Sequence, residues 1–394
     1  MSLELLEKHL HQPAWDRFVE MGLPTKQNEV YRYVRLKDLY SQPYSAPEPF
    51  KSLIAPEEST LVFANGTYIE TLSSPPKGVI ILPLSKAFAT YGAFLVSRLN
   101  KRNKEEKDPF AALNGAYYTE GLFIYVPPKY VCASPIRMIH YTEKNSKPIH
   151  VCPRVHLFAG KDSLLQLTWE QRGPLERMWV NTYIDCALEE AASVTVSQVH
   201  DLPETAHHFL ALRATLKSRS SFKSFSVTNG SATSREDYCV RLQGEAASVS
   251  LYGVWDLKEH RQHHVNLWID HQEPSCSSLQ KFKGILSDTS RSSFEGKIYV
   301  HSKAQKTQAY QMNNNLVLGD KAAANSKPNL EIFADDVKAS HGATVGQIDP
   351  EHLFYLQARG IPLSMAQKLL VQGFRNEIID LIPHLHLREK ALRL

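Results

Sequence analysis

The sequence predicts a mainly β protein with α-helical ends, and three observations carry that expectation. From about 150 to 346, short segments alternate apolar and polar residues with period two, the pattern of half-buried strands. At both ends of the chain the apolar spacing widens to the helical period. Between the alternating segments Gly, Asn, Ser and Asp cluster, as turn residues do.

The elements follow in order. Residues 1–59 read as an N-terminal helical region and linker. Leu3, Leu6, Leu10, Trp15, Phe18 and Met21 form one apolar stripe, so 1–45 is expected to be helical, interrupted at Gly22, Leu23 and Pro24. Residues 41–59 hold four prolines and few bulky apolar side chains, which marks the linker. Residues 60–150 are a mixed segment leading into the core. Strands are expected at 61–64, 78–82 and 122–126, and a helix over 93–107 trails into the charged stretch 101–108, read as a solvated loop.

The β core spans 151–346. Roughly a dozen strands, mostly about 10–15 residues apart, fit a sandwich, a barrel or a β-solenoid. No self-similar motif repeats at a fixed period, which weighs against a solenoid. Recurring apolar positions, and small or amide residues at corners such as Gly230 with Ser231 and Asn313 with Asn314 and Asn315, weigh for it.

Residues 347–394 form a C-terminal helical subdomain. Asp349 can cap a helix over 350–359 with Pro350 in its first turn, and Gly360 can end it. Ser364 with Gln367 suggests a second capping box. Ala366, Leu369, Leu370, Gly373, Phe374, Ile378 and Leu381 then lie on one face. A short helical pair cannot bury so much apolar surface alone, so part of it should meet the β core or another subunit.

Composition narrows the function classes. The 394 residues are 43% hydrophobic and 22% charged, and 45 basic against 41 acidic residues leave a net charge of only +4. Neither nucleic acid nor a membrane surface is implied as a partner. The N-terminus lacks a basic, apolar leader, and the longest apolar run, 78–84, is strand-sized, so a cytoplasmic protein is expected. Five widely spaced cysteines (Cys132, Cys152, Cys186, Cys239 and Cys276) contain no C-x-x-C pair; they read as buried thiols in a reducing compartment. P-loop, nucleophile-elbow, zincin and dinucleotide motifs are all missing, so no enzyme activity is expected.

Histidines are the remaining chemical candidates. His207 and His208, like His263 and His264, are neighbours on expected strands and should point to opposite faces, so neither pair can chelate. His271 and Cys276 flank Pro274 in a turn and carry little metal signal. Glu351 and His352 suit a helix N-terminus. His341 is the sharpest candidate. It lies between Ser340 and Gly342, in what reads as a tight turn joining a strand to the 350–359 helix. A neutral imidazole can ligate iron, and histidine can also move a proton.

Several ordered stretches resemble a known family. They are Pro24, Thr25, Glu29 and Tyr33 (with Tyr31 where tryptophan is usual); Asp108, Pro109 and Phe110; Phe294, Glu295 and Gly296; Asn313, Asn314 and Asn315; and above all Ser340, His341, Gly342, Ala343 and Thr344. Together they are similar to the SufD-like branch of the SufB/SufD family of iron–sulfur cluster assembly proteins. The resemblance implies a right-handed parallel β-helix core. It implies a non-catalytic scaffold that pairs with SufB through the β-helix edge around 307–346. It also implies that the ATPase SufC docks on helices within 350–382, where Leu353, Phe354, Tyr355, Leu356, Leu369, Leu370 and Phe374 are the partner-binding candidates. His341 becomes a metal-ligand candidate facing a SufB cysteine, with iron or an iron–sulfur cluster held only transiently there. The chain alone is expected to hold no stable cofactor, and the resemblance leaves open whether a flavin binds the complex. Many relatives carry cysteine just before this Ser-His motif; Ala339 stands there instead, so any thiol must come from the partner. Arg235, Gly244, Glu245, Lys283 and Gly284 also match family positions and read as corner and packing residues. Without SufB, the exposed sheet edge would favour a homodimer. The competing reading, a β-solenoid polysaccharide lyase or hydrolase, needs a carboxylate-rich strand face that the sequence does not show.

Overall fold

The computed structural model describes residues 11–52, 54–55 and 57–394. Two ten-stranded sheets face each other, and successive strands of the core alternate between them. The first sheet ends in the strands Ser277–Leu286, Thr307–Val317 and Val337–Gly346; the second ends in Gln262–His271, Arg291–Val300 and Ala323–Ile332. All these neighbours pair in parallel. The result is a β-solenoid of about eight turns with helices at both ends of the chain.

The missing fixed period has a geometric cause. The register partners Leu164, Ser193, Ser221, Ser248 and Ser277 stand 29, 28, 27 and 29 residues apart, so the turn length drifts while the stacking does not. What holds the register is a corner ladder. Asp162, Ala191, Arg219, Ala246 and Ser275 all have φ between 56° and 59°. Each donates its N–H to a carbonyl of the next turn: Asp162 to Glu190 at 3.0 Å, Ala191 to Ser218 at 2.9 Å, Arg219 to Glu245 at 2.8 Å, Ala246 to Pro274 at 3.1 Å and Ser275 to Gln305 at 2.8 Å. Left-handed backbone costs a non-glycine residue about 1 kcal/mol, and at these five corners an inter-turn hydrogen bond offsets it.

Inward side chains fill the lumen in columns. Leu165, Val194, Phe222 and Val249 stack in register, as do Cys186, Ala214, Val240, Ile269 and Ile298, and all belong to one apolar core.

Helices cover the outer faces. Near the N-terminus these are α1 (Gln12–Met21), α2 (Lys37–Ser41), α3 (Leu84–Glu105) and α4 (Pro109–Tyr117). Phe18, Leu39, Phe110 and Leu113 from this region pack on Trp179 and Phe209 of the second sheet. At the C-terminus α5 (Pro350–Gln357), α6 (Leu363–Ile379) and α7 (Leu385–Arg393) follow. Ile378, Ile379, Ile382 and Leu387 pack on Val199, Phe225 and Val254, on the outer face of the first sheet.

Several local expectations change. Only α1, α2 and a short turn at Glu29–Tyr31 are helical within the described part of 1–45, and Leu3, Leu6 and Leu10 lie outside the described residues. The 93–107 helix begins at Leu84, bends at Tyr91 and ends at Glu105. Asp349 does cap α5, accepting from the Glu351 N–H at 2.8 Å, and Gly360 has φ +83°. Ser364 caps nothing: the N-cap of α6 is Pro362, and Ser364 lies inside the helix.

Candidate functional site

The last turn of the solenoid carries the candidate site. Val337–Gly346 and Ala323–Ile332 are the terminal strands of the two sheets, so each presents one edge with no neighbouring strand among the described residues. His341 is therefore not in a turn. It lies mid-strand, in parallel register with Gln311. The strand runs on because Gly342 needs no left-handed conformation there; its neighbour is the Met312 side chain on the outer face. Alternation then fixes the faces. Val337 and Ala339 pack against the lumen core, so His341 shares the lumen side, at the open mouth, and is itself exposed. Ala339 stacks on Ala309, and a side chain there points into the lumen beside His341.

The strand leads directly into α5, none of whose residues is buried. Phe354 is 73% exposed and Tyr355 56%, with the Arg359 guanidinium 3.5 Å from the Tyr355 ring centroid. Leu353 and Leu356 are half-buried. On α6, Leu369 is exposed, Leu370 is half-buried, and Phe374 turns inward to the Lys283 ammonium, 4.1 Å from its ring centroid. With Leu363 and Met365, also exposed, these side chains leave an apolar surface on two short helices. His352 lies 4.0 Å from Asp349 at the start of α5, and Glu351 is exposed beside it, the arrangement a helix N-terminus favours.

Lys283 and Arg235 are not corner residues. Lys283 sits mid-strand, buried, and pairs with Glu377 of α6 at 2.8 Å. Arg235 belongs to a buried ionic network beneath the N-terminal region. It reaches Asp237 at 2.8 Å and Asp108 at 3.4 Å, and its guanidinium covers the Tyr31 ring, whose hydroxyl donates to Asp108. Arg213 meets Asp237 at 2.8 Å and Glu106 at 2.7 Å. Burial opposes charge on Asp237, but Arg213 and Arg235 together hold its carboxyl below the usual range; burial and the charge of Asp237 push Asp108 up. The stretch read as a solvated loop is thus a buried junction. Arg102, Glu106 and Asp108 turn in, and Asp108 also caps α4 through the Phe110 and Ala111 N–H groups.

The paired histidines behave as their spacing implies. His207 faces outward to Tyr44, and His208 faces the lumen against His200, with ring centroids 4.3 Å apart. What the sequence did not announce is how polar the lumen is. His140, His200, His208 and His263 all lie inside it, and burial holds His140 and His263 down to about 3 and His208 to about 4. Glu236 accepts from Ser226 and Tyr238, and burial raises its pKa. An inward parity at His208, on a segment whose other inward residues are apolar, and at His263 and His271, which flank the inward Val265, Leu267 and Ile269, was the available signal. No group of three His, Cys, Asp or Glu side chains among the described residues could hold a metal ion. Four of the five cysteines are buried, and burial raises the thiols of Cys152, Cys186 and Cys276, the last to about 11. No helix among the described residues is long and apolar enough to cross a membrane.

Comparison with known proteins agrees with this architecture. The SufBD core domain of the SUF system for FeS cluster assembly matches residues 140–374, and the SufBD protein N-terminal region matches 2–138. An iron–sulfur cluster assembly SufBD family protein of Synechocystis is 28% identical over 396 residues, covering 94% of this chain and 86% of that protein. The iron–sulfur cluster assembly protein SufD of Escherichia coli is 27% identical over 407 residues, covering 98% and 90%. A SufBD family protein of Mycobacterium leprae is 33% identical over 217 residues, about half of each chain. Two matched domains, in order and spanning nearly the whole solenoid with its helical ends, place this chain in the SufBD family of iron–sulfur cluster assembly proteins.

Proposed function

We propose that this chain is a non-catalytic scaffold subunit of a SufBCD complex, in which it pairs with SufB and docks the ATPase SufC. The observation that carries the reading is the open end of the solenoid. Both sheets stop at strands with a free edge, and a free edge is completed most directly by another strand of the same kind. A homologous solenoid offers such strands in matching number. His341 stands at that mouth on the lumen side, where it would meet the partner's side chains; with Ala339 beside it, the thiol of any shared site is the partner's. Iron or a nascent cluster is cargo at this interface and is released, rather than a resident cofactor. In the absence of SufB the same edges favour pairing with a second copy.

The exposed apolar surface of α5 and α6 is the proposed SufC dock, with Phe354, Tyr355 and Leu369 at its centre and Leu353, Leu356 and Leu370 supporting them. Phe374 acts from the inner side, clamping α6 to the sheet through Lys283. Motion of SufC on ATP binding would pull α5, which follows the His341 strand after three residues, and so strain the shared edge. Co-purification tests the dock: a chain lacking 350–394 should still recover SufB and lose SufC. Retention of SufC by that truncated chain would refute the placement.

A further inference from the structure

The lumen column that ends in His341 changes character along its length. Read in register, it passes from Ser224 and Leu251 to Gln280, Gln311 and His341. Gln280 and Gln311 are buried at 0% and 2% exposure. In both, the amide oxygen and nitrogen have no hydrogen-bond partner among the described residues. A buried amide is seldom left so. The Gln311 amide crosses the lumen to Gly296 of the facing sheet, where a Cβ would collide with it, so a glycine stands where the amide needs room.

Parallel strands lie about 4.8 Å apart, and like amides at one register position on successive strands can bond as a ladder. Leu251 offers such a ladder nothing at its lower end. At its upper end the next side chain of the column is the His341 imidazole. Resting on the reading of His341 as an interface ligand, we propose that Gln311, backed by Gln280, is the positioning residue for that ring. The Gln311 amide oxygen, unbonded in this structure and lying against Gly296, would turn toward the edge to accept the N–H of one ring nitrogen. This fixes the tautomer and leaves the lone pair of the other nitrogen directed out of the lumen mouth. A ligating histidine generally needs such a partner on its second nitrogen, and a backbone edge exposed to solvent supplies no other fixed one from this column.

The test is the protonation pattern of the His341 ring in the full-length chain labelled with 15N-histidine, with no metal or partner present. Long-range 1H–15N correlation reads which nitrogen carries the proton, and His341→Gln assigns the signal. One dominant tautomer is expected in the wild type, an averaged pair in Gln311→Leu, and a single tautomer again in Gln311→Glu, which restores an acceptor. Averaged nitrogens in the wild type, or one unchanged tautomer in a folded Gln311→Leu, would overturn the proposal. The wild-type spectrum decides alone should that variant not fold. Because neither SufB nor iron enters the measurement, its failure leaves the interface reading intact; normal cluster assembly by His341→Ala would remove the interface reading and leave a locked tautomer unexplained.

Discussion

Arg213 and Glu106, 107 residues apart in sequence, meet through two parallel hydrogen bonds, Nε to Oε2 at 2.9 Å and Nη2 to Oε1 at 2.7 Å, with both side chains buried. The pair pins the segment between α3 and α4 onto the second sheet, and Asp237, Arg235, Asp108 and Tyr31 extend it to the N-terminal turn.

Removing one member of such a network leaves buried charge without compensation, which costs about 3–5 kcal/mol. Arg213→Met should therefore lower the urea midpoint by that equivalent, since it strands Glu106 and leaves Asp237 with Arg235 as its one cation. Equilibrium unfolding followed by circular dichroism measures it. A loss under about 1 kcal/mol would mean that the junction is hydrated and carries little.

This junction also shows where sequence reading stops. A run of charges at 101–108 looks the same whether it faces water or a sheet; only the Arg213 and Arg235 parity on strands more than a hundred residues later distinguishes the two. The strands were legible as alternation, but the choice of a solenoid over a sandwich or barrel rested on the family resemblance, and the register was not legible. Its left-handed corner positions are Asp162, Ala191, Arg219, Ala246 and Ser275 rather than glycine, so the clustered turn residues mark the corners without marking the residue that sets the register. The Asp349 cap and the Gly360 stop were readable because their chemistry is local. His341 was found through its neighbours, yet Gly342 suggested a turn where the structure continues a strand, because edge pairing is set by a segment 30 residues away.

A second prediction concerns the joint between sheet and α6. Lys283 is buried while Glu377 is half exposed, so the two ends of the pair are not equivalent. Burial lowers the Lys283 pKa and Glu377 opposes that shift. Glu377→Gln leaves a buried ammonium and should cost about 1 kcal/mol, near the exposed-pair limit because water screens the carboxylate. Lys283→Met removes the buried charge altogether and should be nearly neutral. Thermal unfolding of both variants reads the asymmetry; equal losses would contradict it.

Buried histidines set a pH dependence, those of the lumen together with His150, His156 and His207 on the outer face, which burial lowers in the same direction. Burial lowers His140 and His263 to about 3, and His208 and His271 to about 4, against an unfolded value near 6.5. Between those limits the unfolded chain binds more protons, so stability is complete above about pH 6.5 and falls as pH drops. Each histidine contributes at most about 1.4 kcal/mol per pH unit, so four together approach roughly 5 kcal/mol per unit, comparable with the whole stability of many domains. Urea midpoints should hold steady from pH 8 to 7 and fall steeply from 6.5 to 5. A flat profile across that lower window would show that these buried histidine sites, the lumen included, are wet enough to host the charge.

The most direct measurement of the central claim is the iron and acid-labile sulfide held by the complex formed with SufB and SufC, compared between wild type and His341→Ala. His341 is exposed on a terminal strand, so the substitution should change stability by no more than about 0.5 kcal/mol and leave the complex intact. The account predicts an intact complex whose cluster content falls to background. An intact complex with wild-type iron and sulfide would contradict it.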